Sequence, residues 1–320
     1  MRTAGNVIPK PLQPIQKNKP AAFKEIRKNF LLYILLAPAF IVTLIFVYVP
    51  MPFLAVSFFD YSPLRRNILN NPFVGLANFE SIIKLPELYN AFFNTVKLSF
   101  VNLMVPFFAA LIFALLLNEI RNNFFKRLIQ SVSFVPYFLA TISAIGIAMT
   151  LLSSDGPINN LMVSITGNDS SRILFMSKIG LFIPIAVLIN LWRILGWNTI
   201  IFLAAITSID EILYEAAYID GANRFKQIRY ITLPGMMPTA VMLLILTIGS
   251  LIQDNFDLVY GLQNPFMDYE VIQTVLYKYG IMQGNFSTAA AFSLTQGIIG
   301  FLLTMTANKL SKTVSGIGLF

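Results

Sequence analysis

The sequence predicts an all-α polytopic membrane protein, and three observations carry that prediction. Hydrophobic residues make up 56% of the chain and charged residues only 12%, about half the charged share of a soluble domain. The apolar residues gather into six runs, each of the length, about 20 residues, that a helix needs to cross a bilayer. The basic residues crowd onto alternate connecting segments. Backbone amides find no partners in lipid, so runs of this length must be helical.

Taken in order, residues 1–29 form a basic arm spaced by Pro9, Pro11, Pro14 and Pro20, with Lys10, Lys17, Lys19, Lys24, Arg27 and Lys28 between and after them. Such a stretch has no core to bury and reads as extended, with at most a short helix after Pro20. The run from 30 to about 59 is too long for the apolar part of a signal peptide and shows no clear small-x-small cleavage site, so it reads as a retained membrane helix. Further spans are expected at 95–117, 129–152, 179–206, 235–258 and 286–307. Pro38, Pro106, Pro136 and Pro184 fall inside these runs, where proline is tolerated and marks a kink. Residues 30–307 thus read as one membrane domain and 308–320 as a short tail. No internal repeat of about 20–50 residues is visible.

Orientation follows from Lys and Arg. With the N-terminus inside, the inner segments 1–29, 118–128, 207–234 and 308–320 hold fifteen of the 23 basic residues, as the positive-inside rule requires. Both termini are therefore expected in the cytoplasm. The net charge of +8 is mainly topological, and no nucleic-acid partner is expected. The chain has no Cys and no His, which excludes disulfides, thiolate chemistry and the common zinc sites and removes the usual proton-relay residue.

The segment 207–234 is basic and partly polar between two very apolar runs. Ser208 and Glu211 have the spacing of a capping box, which predicts a short helix from about Ile209. Asp210 and Glu211 favour its dipole start. Ala216 and Ala217 give a low-relief surface beside the carboxylate of Glu215, and Gly221 can supply a left-handed stop. A second short helix is expected over 222–230, with Leu233-Pro234 turning the chain back toward the membrane.

The pattern Glu215-Ala-Ala, three residues, Gly221, nine residues, Ile231-x-Leu-Pro234 resembles the cytoplasmic coupling loop of type I ABC importer permeases. The resemblance implies a six-helix permease whose coupling helix, with Glu215, Ala216, Ala217, Asp220, Gly221, Leu233 and Pro234, docks into a cleft on a separate ATPase pair. It further implies a second permease chain, as a heterodimer, and an external solute-binding protein. No Gly-x-x-x-x-Gly-Lys-Ser/Thr pattern occurs, and Lys312-Thr313 lacks the glycines, so ATP and magnesium are expected on the partner ATPase and no cofactor or metal on this chain. It reads as a transport subunit, not an enzyme.

The transported solute must be read from polar residues within spans, because a buried ionisable group in a membrane is a functional-site hypothesis. Asn190, Arg193 and Trp197 share one helix face at i, i+3, i+7, flanked by Trp192 and Asn198. Ser250, Gln253, Asp254, Asp257 and Gly261 lie roughly along another, with Asn255 among them. Amides, carboxylates and aromatic rings suit a sugar, whose hydroxyls need polar partners and whose apolar face packs on a ring. The competing reading is structural. Arg193 pairs with Asp254 or Asp257 to lower the cost of burying charge, and the tryptophans belong to an interfacial belt. Met and Phe elsewhere in the spans read as packing.

Three segments resemble carbohydrate-uptake permeases: Asn190-Leu-Trp-Arg-Ile-Leu-Gly-Trp197, the Glu-Ala-Ala segment, and Asp254-Asn-Phe-Asp-Leu258 followed by Leu262-Gln-Asn-Pro265. Asp155-Gly-Pro-Ile-Asn-Asn-Leu161 resembles their external loop. The resemblance covers about residues 30–310 and implicates Asn190, Trp192, Gln253 and Asp254 in sugar contact. Relatives often carry Asn or an aromatic where Gln253 and Asp254 stand, so the sugar itself does not carry over. The short N-terminal arm and Tyr214-Glu-Ala-Ala-Tyr-Ile-Asp-Gly-Ala222 are similar to permeases for plant cell-wall oligosaccharides, including pectin-derived galacturonans. The Lys-, Asn- and Ile-rich composition fits the plasma membrane of a low-GC bacterium. An ion-coupled secondary carrier, a permease for a non-sugar solute and a membrane scaffold are the alternatives; the six spans, the lack of an inverted repeat and the Glu-Ala-Ala loop argue against the carrier.

Overall fold

A computed structural model describes residues 29–65, 67–251, 256–316 and 318. The basic arm up to residue 28 lies outside the described residues, as do Gln253, Asp254 and Asn255. The chain divides into two units, Met1–Leu54 and Ala55–Phe320. In the first, α1 (Phe30–Thr43) carries Pro38 inside it and runs into a π turn over Leu44–Tyr48. A 3-10 stretch, Met51–Phe58, carries the helix across the boundary between the units.

The second unit opens with α2 (Ala77–Ile83) and α3 (Pro86–Asn118), a 33-residue helix with Pro86 in its first turn, where a missing N–H costs nothing. Next come α4 (Asn123–Phe134), α5 (Thr141–Leu152) and α6 (Pro157–Thr166). The 26-residue α7 (Phe182–Thr207) follows. After it stand α8 (Glu211–Ile219), α9 (Arg224–Gln227) and α10 (Leu233–Ser250). The chain closes with α11 (Phe256–Leu262), α12 (Ile272–Leu276) and α13 (Phe286–Ser315). No strand occurs among the described residues, only two isolated bridges.

Five helical stretches are long and apolar enough to cross a membrane: Phe30–Phe58, Pro86–Asn118, Ile179–Thr207, Arg224–Ser250 and Phe286–Thr313. The remaining expected span, 129–152, third in order, is not one straight helix. It is two helical segments bent by 105°. Pro136 cannot donate a backbone bond, α4 gives way to a 3-10 turn over Val135–Phe138, and Leu139 and Ala140 are extended before α5 begins. The fifth span also differs from its expected bounds, 235–258. Its helix already starts at Arg224, because hydropathy marks where lipid begins and not where backbone bonding starts; residues 252–255, near its expected end, lie outside the described residues. Pro184, expected to kink a span, sits in the first turn of α7, where its N–H would have no acceptor.

α3 and α7 pack along their lengths. Ala110 and Ala114 are fully buried, and Phe107 meets Phe202 edge-on at 5.5 Å. That lower cluster continues into Leu203, Ile206, Met236 and Ala240. A second cluster joins Leu98, Ile145, Phe182, Ile185 and Val259, with Phe182 stacked on Tyr269 at 4.4 Å. Burial pushes the Tyr269 phenol up to about 12, and its O–H donates to the Asn94 carbonyl. Two glycines permit close helix approach. A Cβ on Gly196 would lie 2.2 Å from the Ser133 carbonyl oxygen, and one on Gly300 would lie 2.7 Å from that of Gly249.

Candidate functional site

Between the two apolar clusters lies a polar layer. On α3 it falls between Leu98 and Phe107, and on α7 between Ile189 and Phe202. The bend before α5 brings Thr141 to this level, and the end of α10 brings Thr247 and Ser250. Asp257 and Phe256 arrive from the start of α11. These residues, with Ser99 and Asn102 of α3 and Asn190 and Arg193 of α7, line a cavity of about 340 Å³. Interrupted helices around a polar cavity are tolerated in membranes because the freed backbone faces the cavity and not lipid.

Arg193 defines the chemistry. Its Nη1 donates to the Thr141 hydroxyl. Its Nε is buried with no hydrogen-bond partner among the described residues. No ion pair among the described residues involves Arg193 or Asp257, although both line the cavity. The Arg193–Asp257 pair of the structural reading is therefore not formed here, and Asp254 lies outside the described residues. A guanidinium with a free N–H beside hydroxyls and amides can take a carboxylate and neighbouring hydroxyls together.

The expected polar stripe on α7 separates into levels. Asn190 and Arg193 line the cavity. Trp197 stacks on Tyr137 at 4.6 Å and on Phe134 at 6.0 Å, against the bent segment. It shares the face but sits roughly 6 Å along the axis from Arg193, at ~1.5 Å per residue. Trp192 is 44% exposed and does not line the cavity, since it follows Asn190 by roughly 200° around the helix. Asn198 is half-buried and also outside it. The ring at the cavity is instead Phe256, stacked on Tyr260 at 5.2 Å. Sequence reasoning missed Ser99, Asn102, Thr141, Thr247 and Phe256. A short polar residue inside an apolar run was the available signal, but single serines and threonines commonly bond their own helix, as Thr95 does with the Ala91 carbonyl.

The second candidate region is 207–234. Its first helix starts later than the capping-box reading: Asp210 accepts from the Ile212 N–H at 3.0 Å, whereas Ser208 turns back to the Ala205 carbonyl. Gly221 has φ +73°, its N–H bonds the Tyr218 carbonyl, and the Ala222 N–H bonds that of Ala217 at 2.8 Å. This is the Schellman stop that only glycine adopts without strain. Asn223 then caps α9 through the Lys226 N–H. Leu233-Pro234 is no turn. A π turn over Ile228–Thr232 joins α9 to α10, and the stretch Arg224–Ser250 continues through it, with Pro234 in the first turn of α10. Glu215, Ala216, Asp220 and Gly221 are exposed and Ala217 is half-buried. Leu213, Tyr218, Ile219 and Phe225 are exposed apolar neighbours, a grouping that marks a protein-docking surface when it sits on a rigid loop.

Comparison with known proteins bears on the family and the fold. Residues 103–310 match the family described as binding-protein-dependent transport system inner membrane component. The chain is 36% identical over 307 residues to the polygalacturonan/rhamnogalacturonan transport system permease protein YteP of Bacillus subtilis (strain 168), covering 95% of this chain and 94% of that protein. It is 37% identical to Protein LplB of the same organism over 298 residues, 92% of each. Among solved structures it matches the bacterial alginate ABC transporter in complex with alginate pentasaccharide-bound periplasmic protein. The TM-score is 0.81 and the identity 29%, over 93% of this chain and 99% of that chain.

Proposed function

Because the chain belongs to the family of binding-protein-dependent transport system inner membrane components, we propose that its cavity passes acidic oligosaccharides of the plant cell wall, pectin-derived galacturonans foremost. The chain is a multi-pass permease subunit of a sugar-importing ABC transporter and an all-α type I permease in fold. The single observation that carries the substrate class is Arg193, whose buried Nε has no partner among the described residues, at a cavity that also presents hydroxyls, amides, Asp257, Phe256 and several aliphatic side chains. A uronate offers the carboxylate that a guanidinium binds best, hydroxyls for the amides and an apolar face for Phe256. Two of the similar proteins, YteP and the alginate transporter, carry the names of acidic polysaccharides, polygalacturonan and alginate.

In this reading the 207–234 loop faces the cytoplasm and seats the ATPase pair, which alone binds ATP and magnesium. An external binding protein delivers the sugar, and a second permease chain completes the pathway. Closure of the ATPase pair on ATP presses on α8 and turns the cavity outward. The test is uptake into liposomes holding the complete transporter with its binding protein. Trigalacturonate should enter only with ATP, and the trisaccharide with its carboxylates reduced to alcohols should enter at least about tenfold more slowly, the worth of a charged hydrogen bond. Equal uptake of both would remove the acidic assignment.

A further inference from the structure

The coupling helix α8 walls a second cavity of about 430 Å³, lined also by Glu119 at the end of α3, Ile206 of α7 and Arg224 of α9. Movement of α8 can reach α10 through the covalent chain and through side chains that span this cavity. A direct side-chain hydrogen bond does so: the Tyr214 hydroxyl meets the Thr232 Oγ1 at 2.9 Å. Tyr214 is the residue before Glu215 and is half-buried, whereas Thr232 is buried at 2% exposure. Thr232 closes the π turn, and its hydroxyl also reaches the Gln227 carbonyl at 3.4 Å, five residues back. Gln227, itself buried, holds the Ala222 carbonyl at the exit of α8. π turns are locally mispaired helix and are common where a helix must change shape. Beyond this one, α10 runs on without interruption to Thr247 and Ser250 at the polar cavity.

We propose that the Tyr214–Thr232 hydrogen bond is the strut that carries movement of the coupling helix through the π turn into α10, which makes both positioning residues for transport. The proposal rests on the reading that α8 seats the ATPase. It gives the π turn a role: the joint that receives the push. The second contact between the segments, Ile209 against Gly235, where a Cβ would lie 2.5 Å from the Ile209 Cδ1, fixes the start of α10 from the side.

The experiment uses the complete transporter, with a reporter cysteine introduced as Thr247→Cys into a chain that has no native Cys. Labelling by a membrane-impermeant maleimide is timed with and without ATP and vanadate, which needs no knowledge of the sugar. Tyr214→Phe should keep the ATPase in the purified complex and keep its trapped nucleotide. The ATP-dependent change in labelling rate should fall at least about fivefold. Thr232→Val should repeat the loss, Thr232→Ser should restore the change, and the double variant Tyr214→Phe/Thr232→Val should be no worse than either alone. A full ATP-dependent change in Tyr214→Phe, or equal loss in Thr232→Ser and Thr232→Val, overturns the strut. Glu215→Lys separates the two levels. Loss of the ATPase from the complex upholds the docking reading whatever Tyr214→Phe shows, and retention of both ATPase and uptake removes the docking reading and the strut with it.

Discussion

A guanidinium inside a bilayer is costly unless something on the pathway repays it; among the described residues Arg193 bonds Thr141 through Nη1, and its buried Nε has no partner. If its partner is the passing carboxylate, Arg193→Met should leave folded yield within about twofold. Uptake of trigalacturonate should fall about 10- to 100-fold, from the loss of one charge-assisted contact of about 1.5–3 kcal/mol. The neutral reduced sugar should lose far less. If Arg193 is a counter-ion, yield itself falls and is recovered by adding Asp257→Asn. Parallel measurement of yield and of the two uptake rates decides between them. The tryptophans drop out at this scale: Trp197 is committed to Tyr137 and Phe134, and Trp192 points away from the cavity.

At the scale of elements, two glycines hold the architecture by absence of a side chain. Gly196 lets the bent segment lie against α7, and a Cβ there would meet the Ser133 and Phe134 backbone at under 3 Å. Gly196→Ala should lower the thermal midpoint of the purified complex through a cost of about 1–3 kcal/mol, and it should disturb the Tyr137–Trp197 stack, visible as a change in tryptophan fluorescence. Gly221 acts through its dihedral. Gly221→Ala should cost about 1–2 kcal/mol locally, since an L-residue is strained at positive φ. Gly221→Pro also deletes the N–H that bonds Tyr218 and should abolish uptake while the chain remains in the membrane. Normal uptake by the proline variant would show that the shape of the α8 stop does not matter for coupling.

For the whole molecule, orientation is the testable quantity, and it depends on charge placement alone. Lys226 belongs to the loop between α8 and α10, and Asn160 to α6 on the far side of the α5 segment. Cysteines placed by Lys226→Cys and Asn160→Cys should react with an impermeant thiol reagent from opposite sides, the first from the cytoplasm and the second from outside. The native chain supplies no background thiol. Reversed labelling would overturn the positive-inside argument. The segment around Asn160 is itself held by hydrogen bonds. Asn159 is fully buried and bonds the Ser153 and Ile173 carbonyls, and Arg172 ties Asp169 to the Ser154 carbonyl.

The sequence by itself determined the class, because hydropathy is local. Apolar runs such as that around Phe286 must be helical in lipid, and the 215–234 pattern spells a knob whose stop, Gly221, is readable from one residue. It also determined that Asn190 and Arg193 share a face, because helical spacing alone sets that. Only the tertiary structure decided which level of that face opens on a cavity and that Trp192 and Trp197 lie outside it. The same holds for Thr141, brought beside Arg193 by a bend at Pro136, and for Phe256, where the cavity's aromatic ring was expected to be tryptophan. Those facts depend on which helix covers which, and a pattern along one chain contains no record of its neighbours. The π turn at Thr232 escaped for the related reason that backbone bonding can rearrange within an unbroken helical sequence, at a cost set by packing and not by composition.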